Sequence, residues 1–429
     1  MAAPAPLAAA PVGAMPPAAA SSMTAAPITL AAVLEAAASN ADARIARLGV
    51  DAARADVVAA DHAPLPVLTA KASSMDLQHG VGGGNWLTEK RVDKSLGVDW
   101  TWERGGKRAL RTAAAEAAAG AARQDWRAVR RDQQILAATA FHDLRLAQSR
   151  VEDLRELAAG AEALATLMRR RVQAGDAAPQ DLSRAEIEAR KAANDVAAAR
   201  TDRENAALAL GRLIGRPEMR LTAAAPDDAG GEATAVSAIP ADAGDDTPTD
   251  PDGLRAAIDA SPDVAAADAR QGAALAAYDL ARAGKHADVT WGVSLDHYPG
   301  TSTRLLELRL QMPLQFGYQQ QGEIGRAQSQ LDQAREQAQQ ARADAETALR
   351  QRWLALSSSR ALLRSHEADL LPRARALLAQ AELAYRKGAS TLTDLIEARR
   401  TLRASLMDAL AARHDHDVAL AQWRLLTQP

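Results

Sequence analysis

The sequence predicts a mainly α-helical fold with a small β part: a long coiled-coil α-helical barrel joined to a transmembrane β-barrel that trimerisation completes, four strands from each chain and twelve in total. Three observations predict it. The chain carries an internal duplication, in which a Gly-containing helical turn recurs with the same five-residue spacer. Small residues, chiefly Ala, repeat at alternating steps of three and four over long stretches. Just over half of the aromatic residues gather in two short segments that alternate apolar with polar side chains.

Residues 1–27 (MAAPAPLAAAPVGAMPPAAASSMTAAP) are rich in Ala and Pro, with no charge before Glu35 and no basic residue before Arg44. A secretory signal needs a basic start and an unbroken apolar run, so this segment reads as a flexible leader, or else the signal lies upstream. The first structural repeat is expected over 28–216, as a short helix, a β-hairpin within 67–102 and a long helical hairpin with its tip near 172–181. Residues 217–252 are rich in Pro, Gly, Asp and Ala without periodicity and read as a linker. The second repeat, 253–429, has the same order, with a β-hairpin at 288–314 and a tip near 386–394.

The tips carry the duplication. Arg171-Val172-Gln173-Ala174-Gly175 precedes Asp181-Leu182, and Tyr385-Arg386-Lys387-Gly388 precedes Asp394-Leu395. In each, Gly ends one helix and an acidic residue opens the next. From Leu182 a seam runs through Ala185, Ala189, Ala192, Val196, Ala199, Ala206, Leu210 and Leu213. From Leu395 the same register gives Ala398, Leu402, Ser405, Ala409, Ala412, His416, Ala419, Trp423 and Leu426. A third seam follows Leu331, Ala334, Ala338, Ala341, Ala345 and Ala348. The helix entering the first tip spans roughly Lys107 to Arg171, about 100 Å at 1.5 Å per residue, which no compact domain houses.

Three strands alternate cleanly. Leu96, Val98, Trp100 and Trp102 interleave with Gly97, Asp99 and Thr101; Val289, Trp291, Val293 and Leu295 with Thr290, Gly292 and Ser294; Leu306, Leu308, Leu310, Met312 and Leu314 with Glu307, Arg309 and Gln311. A weaker fourth is expected within 67–78. Trp86, Trp100, Trp102, Trp291 and Tyr298 fit the interfacial girdles of a membrane barrel in contact with outer-membrane lipid. A soluble sheet with one buried face is the alternative. Four strands cannot close a barrel, whereas three chains supply twelve, with Glu307 and Arg309 toward water and the leucines toward lipid.

Composition narrows the rest. Lys+Arg number 51 against Asp+Glu 54, so no basic excess points to nucleic acid. There is no cysteine, which removes disulfides, thiol catalysis and a lipid-bearing Cys. No constellation of nucleophile and base appears, no cofactor is implied, and catalysis is not expected. His414-Asp415-His416-Asp417 suggests a metal, but neighbours two apart on a helix point about 200° apart, so these residues are expected to be structural. At the tips, Arg171, Gly175, Asp176, Asp181, Leu182, Arg386, Lys387, Gly388, Asp394 and Leu395 are candidates for a gate and a docking surface. Helix-dipole complementarity explains the same charges without either role.

Three segments resemble the TolC family of outer-membrane efflux proteins, and more narrowly the CzcC-like outer-membrane components of cobalt-zinc-cadmium RND heavy-metal efflux systems. They are Trp102-Glu103-Arg104-Gly105-Gly106-Lys107-Arg108, Pro313-Leu314 through Gln321-Gly322-Glu323-Ile324, and Tyr385-Arg386-Lys387-Gly388 to Asp394-Leu395-Ile396-Glu397-Ala398-Arg399. The resemblance covers residues 28–429. It implies a homotrimer in the outer membrane of a Gram-negative bacterium with its helical barrel in the periplasm. It also implies docking of a periplasmic adaptor and an inner-membrane RND pump at the tips, and passive conduction of heavy-metal cations. A duct for drug efflux or type I secretion, or a periplasmic coiled-coil adaptor, is the alternative.

Overall fold

A computed structural model describes residues 27–75, 78–80, 82–85, 92–217, 221–224, 251–298 and 302–427. The order of elements repeats. The first half contains α1 (Leu30–Ala37), α2 (Ala41–Ala60), β1 (Val67–Ser73), β2 (Asp93–Trp102), α3 (Lys107–Ala174) and α4 (Pro179–Leu213). The second contains α5 (Pro251–Asp259), α6 (Pro262–Ala283), β3 (Val289–Tyr298), β4 (Ser302–Gln311), α7 (Gln321–Ser365), a π-helical turn (His366–Leu370), α8 (Leu371–Arg386) and α9 (Leu392–Thr427). Among the described residues no helix is long and apolar enough to cross a membrane.

α3 alone has 68 residues, about 100 Å of continuous helix. Its counterpart in the second half is interrupted, a feature that a simple duplication does not predict. Pro372 has no N–H to give the preceding turn, and just before it the Leu371 N–H reaches back five residues to the His366 carbonyl. The extra residue is absorbed as a π turn, and α7 runs into α8 without a break in the chain.

The Ala seams are buried where helices meet: Ala185, Ala189, Val196, Ala199 and Leu210 on α4, and Leu395, Ala398, Leu402, Ala409, Ala412 and Ala419 on α9. Small side chains let helix axes approach closely over these lengths. The α7 seam departs from expectation. Leu331, Ala334 and Ala338 are buried, but Ala348 is exposed and Leu349 and Leu356 take the buried positions. One step of four replaces a step of three, a stutter that shifts the contact stripe around the helix.

The thickest core lies at mid-length, where Val33 and Ala37 of α1 meet Phe141 and Leu144 of α3, Leu210 of α4, Ile214, Leu221 and Ala223. Leu221–Ala224 therefore belong to the packed body, not to a free linker. Ile28 N–H donates to Thr222 O at 2.8 Å, Ala224 N–H to Ile28 O at 2.9 Å, and Ala223 N–H to Gln148 Oε1 at 3.0 Å. The rest of the segment expected as a linker lies outside the described residues, except Pro217 and the start of α5 at Pro251.

One antiparallel sheet, in the order β1-β2-β3-β4, gathers the strands of both halves. β1 stops at Ser73, short of the expected 78, where Ser74 turns to a φ of 59°. β4 stops at Gln311, short of the expected 314, so Met312 and Leu314 lie beyond it. Pro313 offers no ladder donor and restricts the residue before it.

Leu144 is fully buried between α1, α3 and α4. Leu144→Ala should lower unfolding stability by about 2–5 kcal/mol, read as a drop in the thermal or denaturant midpoint of the detergent-solubilised protein, whereas Ala348→Ser should leave it within about 0.5 kcal/mol.

Candidate functional site: the channel wall, its junction and its tips

The register gives the sheet two unlike faces. Leu68 pairs with Val98, Val98 with Val293 and Val293 with Leu308; Leu96 pairs with Leu295 and Leu295 with Leu306; Trp100 pairs with Trp291 and Trp291 with Leu310. All of these side chains share one face, and all are exposed, Leu308 by 75% and Trp100 by 64%. A soluble sheet would cover such a face. β2, β3 and β4 are each ten residues long, which matches a tilted strand crossing the bilayer.

The opposite face is polar. Asp99 of β2 and Arg309 of β4 are both in register with Gly292 of β3, and their ion pair of 2.6 Å passes over it. A Cβ on Gly292 would collide with the Asp99 carboxylate and crowd the Arg309 guanidinium, so the absence of a side chain there gives the pair room to form. Thr69 Oγ1 donates to the second Asp99 oxygen at 2.7 Å. Apolar outward and polar inward is the pattern of a membrane barrel.

Trp100, Trp102 and Trp291 stand on the apolar face at the end nearest the helices, as an interfacial girdle requires. Tyr298 does not join them. Counting from Trp291, its parity places it on the polar face with Asp296 and Ser294, at the far end of β3. The expected aromatic contact with lipid is therefore a lumen-side hydroxyl. Trp86 lies outside the described residues.

The strand-to-helix junction is held by charge. Gly105 and Gly106 have φ of 74° and 68°, which let the chain turn sharply out of β2 into α3. Arg111 grips Glu103 at 2.6 Å and also donates to the carbonyls of Ala60 at 3.0 Å and His62 at 2.8 Å. Lys107 Nζ and the Arg104 N–H both reach Asp288 Oδ1, at 2.9 and 3.0 Å. Residues Glu103 to Lys107 thus weld α2, α3 and the start of β3 into one block.

At the tips, Gly175 and Gly388 are left-handed, with φ of 85° and 73°. Each completes the same pair of bonds. Asp176 N–H donates to Arg171 O at 2.8 Å and Gly175 N–H to Val172 O at 3.1 Å; Ala389 N–H donates to Ala384 O at 2.8 Å and Gly388 N–H to Tyr385 O at 3.1 Å. The returning helices start earlier than expected, at Pro179 and Leu392, which puts Asp181 and Asp394 in their first turns. Asp394 also forms a capping box. It accepts from Thr391 N–H at 2.9 Å and from Thr391 Oγ1 at 2.8 Å, while its own N–H donates to Thr391 Oγ1 at 3.2 Å. The Thr391 backbone and hydroxyl hydrogen bonds hold its carboxyl below the usual range.

The candidates divide by burial. Leu395, only 3% exposed, and the half-buried Leu182 pack with Leu164, Met168, Leu392 and Ile396, joining the two hairpins of the chain. Their contribution is packing, not a docking surface. Arg171 lies across the Tyr385 ring, 5.5 Å from its centroid. Arg403 crosses from α9 to Asp195 of α4 at 2.6 Å, and Arg400 pairs with Glu188. Gly175, Asp176, Arg386, Lys387, Gly388 and Asp394 remain exposed, and Asp181 is half-buried. The ion pairs and the apolar cluster were missed from sequence because they join residues more than 200 positions apart.

Midway along the helices the His-Asp segment meets α3. His414 Nε2 bonds Asp143 at 2.7 Å, whereas His416 Nδ1 lies 3.6 Å from Asp417. Asp417 also faces Arg145 at 3.6 Å and His142, itself 7% exposed, at 4.0 Å. Burial pushes the His142 imidazole down to about 4, against the pull of Asp417, while the hydrogen bond that His414 donates to the Asp143 carboxylate raises that of His414.

A strand quartet with a bare apolar face, continuous with helices about 100 Å long, defines the wall segment of an outer-membrane channel with a periplasmic helical duct. A profile described as "Outer membrane efflux protein" matches residues 32–216 and 253–427, and the chain belongs to that family. It is an outer-membrane efflux channel and not an enzyme, with its helices extending into the periplasm. Solved structures with the same fold include a membrane protein from Pseudomonas aeruginosa, at 17% identity and a TM-score of 0.74 over 93% of this chain and 90% of that one. The CmeC outer membrane channel of Campylobacter jejuni matches at 15% identity and 0.72, over 93% and 85%. The open state of the MtrE outer membrane channel of Neisseria gonorrhoeae matches at 17% and 0.72, over 93% and 88%. No curated protein matches the sequence.

Gly→Val at 175 or 388 forces a β-branched residue into the left-handed region and should destabilise each tip by about 1 kcal/mol or more. The measurement is limited proteolysis, with new cleavage confined to 171–181 or 384–394. A second expectation concerns pH. Unfolded His142 takes a proton near 6.5, but the folded site resists until about 4, so its contribution to stability is full above 6.5 and lost as pH falls toward 4. The full loss is roughly 3 kcal/mol per chain. His414 acts oppositely, stabilising at low pH and losing that as pH rises through its raised folded value. His142→Gln removes only the first effect, so the fall in Tm between pH 7 and pH 4.5 should be shallower than in wild type.

Proposed function

We propose that three copies close one twelve-stranded barrel and conduct heavy-metal cations passively from an inner-membrane RND pump, through a periplasmic adaptor, to the exterior. The observation that carries the assembly is the open sheet: among the described residues β1 and β4 each leave one edge unpaired, beside a face that suits hydrocarbon. Neighbouring copies supply the missing partners, β4 of one against β1 of the next. Four long helical segments per chain, α3, α4, α7–α8 and α9, then line a duct of twelve.

The metal reading rests on the junction and tip segments that resemble CzcC-like components, Trp102–Arg108, Pro313–Ile324 and Tyr385–Arg399. A drug or type I secretion duct would use the same wall. The docking surface and gate fall to the exposed tip residues Asp176, Arg386 and Lys387, with Asp181 beside them. Detergent-purified protein should be a trimer, and deleting the gene should sensitise cells to zinc, cobalt or cadmium more than to organic drugs. The reverse ranking assigns the duct to drug efflux, and a detergent-independent monomer removes the channel reading.

A further inference from the structure

Strand register orders the polar face of the sheet by depth. Asp99 and Arg309 share one row with Gly292 and neutralise each other. Beyond that row, away from the helices, the balance changes. Glu307 stands opposite Ser294, Asp296 opposite Ser95, and Asp93 at the outer end of β2. Among the described residues that the register places on the polar face of this outer half, the cation is Lys71, which shares a row with Asp296 but is two strand spacings from it, about 10 Å; Lys94 alternates onto the opposite face, and Arg304 falls where β3 and β4 shift register.

Asp296 is the informative residue. It is 4% exposed, and among the described residues its Oδ1 has no hydrogen-bond partner, while Oδ2 accepts from the Ser294 hydroxyl at 3.3 Å. A buried carboxylate oxygen without a donor is costly, and the Arg309 guanidinium, which lies within Coulombic reach of Asp296 and Glu307, directs its hydrogen bond to Asp99, so a further positive charge beside Asp296 is favoured. Asp93, Asp296 and Glu307, from three strands, all lie within Coulombic reach of the Tyr298 hydroxyl, so they converge on one zone of the lumen. Among the described residues no three acidic or His groups are close enough to chelate an ion directly. What they provide is field.

We infer that Asp93, Asp296 and Glu307 form a cation-attracting collar in the outer half of the barrel, drawing hydrated metal cations, divalent ones most strongly, without binding them in an inner sphere. The collar rests on the trimeric duct, which repeats each carboxylate three times around the axis. In a narrow lumen with low-dielectric walls such charges are focused, and rings of Asp and Glu favour cations.

The experiment uses the full chain in planar bilayers, comparing wild type with the triple variant Asp93→Asn, Asp296→Asn, Glu307→Gln. Wild type in asymmetric KCl should prefer K⁺ to Cl⁻, and the variant's permeability ratio should fall about threefold or more toward unity. MgCl2 added on the barrel side should reduce K⁺ conductance of wild type and not of the variant, with a weaker effect from the tip side. An unchanged ratio in the variant, or Mg²⁺ acting equally from both sides, overturns the collar and leaves the duct standing. Absence of conducting events in both proteins overturns the duct and the collar together. If the triple variant does not assemble, Asp93→Asn and Glu307→Gln alone should each lower the ratio, and no change in either overturns the collar.

Discussion

A backbone hydrogen-bonding group left open to hydrocarbon costs several kcal/mol, and this constraint governs the rest of the molecule. The sheet presents an apolar face fit only for lipid, yet β1 and β4 each end it with an unpaired edge. Such a sheet is one segment of a larger closed wall. The need for neighbouring strands at both edges follows from that single requirement.

The helical part answers a different problem, which is to stay narrow-walled over about 100 Å without a thick core. Seams of Ala at α4, α7 and α9 bury little area per residue but allow long close contact. Larger side chains are clustered at the α1 contact, where Leu144 and Phe141 meet Val33, and near the tips, where Met168 meets Leu395, with a smaller cluster of Val151, Leu154 and Val196 between them. Between barrel and duct, Glu103, Lys107, Arg111 and Asp288 tie the turn at Gly105-Gly106 to both, so the strand direction sets the helix direction.

Period and punctuation made most of this legible in sequence. Alternation revealed β2, β3 and β4; steps of three and four revealed the seams; Gly and Asp with a fixed spacer revealed the tips. What escaped depended on partners or on single-residue shifts. The π turn before Pro372 and the slip from Ala348 to Leu349 each move a stripe by one residue, which composition does not record. Tyr298 looked like a girdle residue because it is aromatic and at a strand end, but parity, not identity, decides which face it takes. Leu395 looked like a docking residue because it follows the tip Gly, but the first hairpin of the same chain, through Leu164, Met168 and Leu182, already covers it. Leu221–Ala224 read as linker because the segment lacks periodicity, and an isolated bridge to Ile28 has no periodic signature.

The charged groups fall into two sets with little influence on one another. Asp176, Arg386 and Lys387 stand at the tips, and the carboxylates of the polar sheet face stand beyond the other end of α3, more than ten Debye lengths away at about 8 Å each. Each set acts on the ion beside it and not on the other through space. Coupling between them would have to pass mechanically through the helices, and one feature interrupts that path in one hairpin only: the π turn at His366–Leu370. The α3–α4 hairpin has no such break and is fixed to the barrel by Arg111. The α8–α9 hairpin lies below a turn that has taken up one extra residue, so its path to the barrel differs from that of α3.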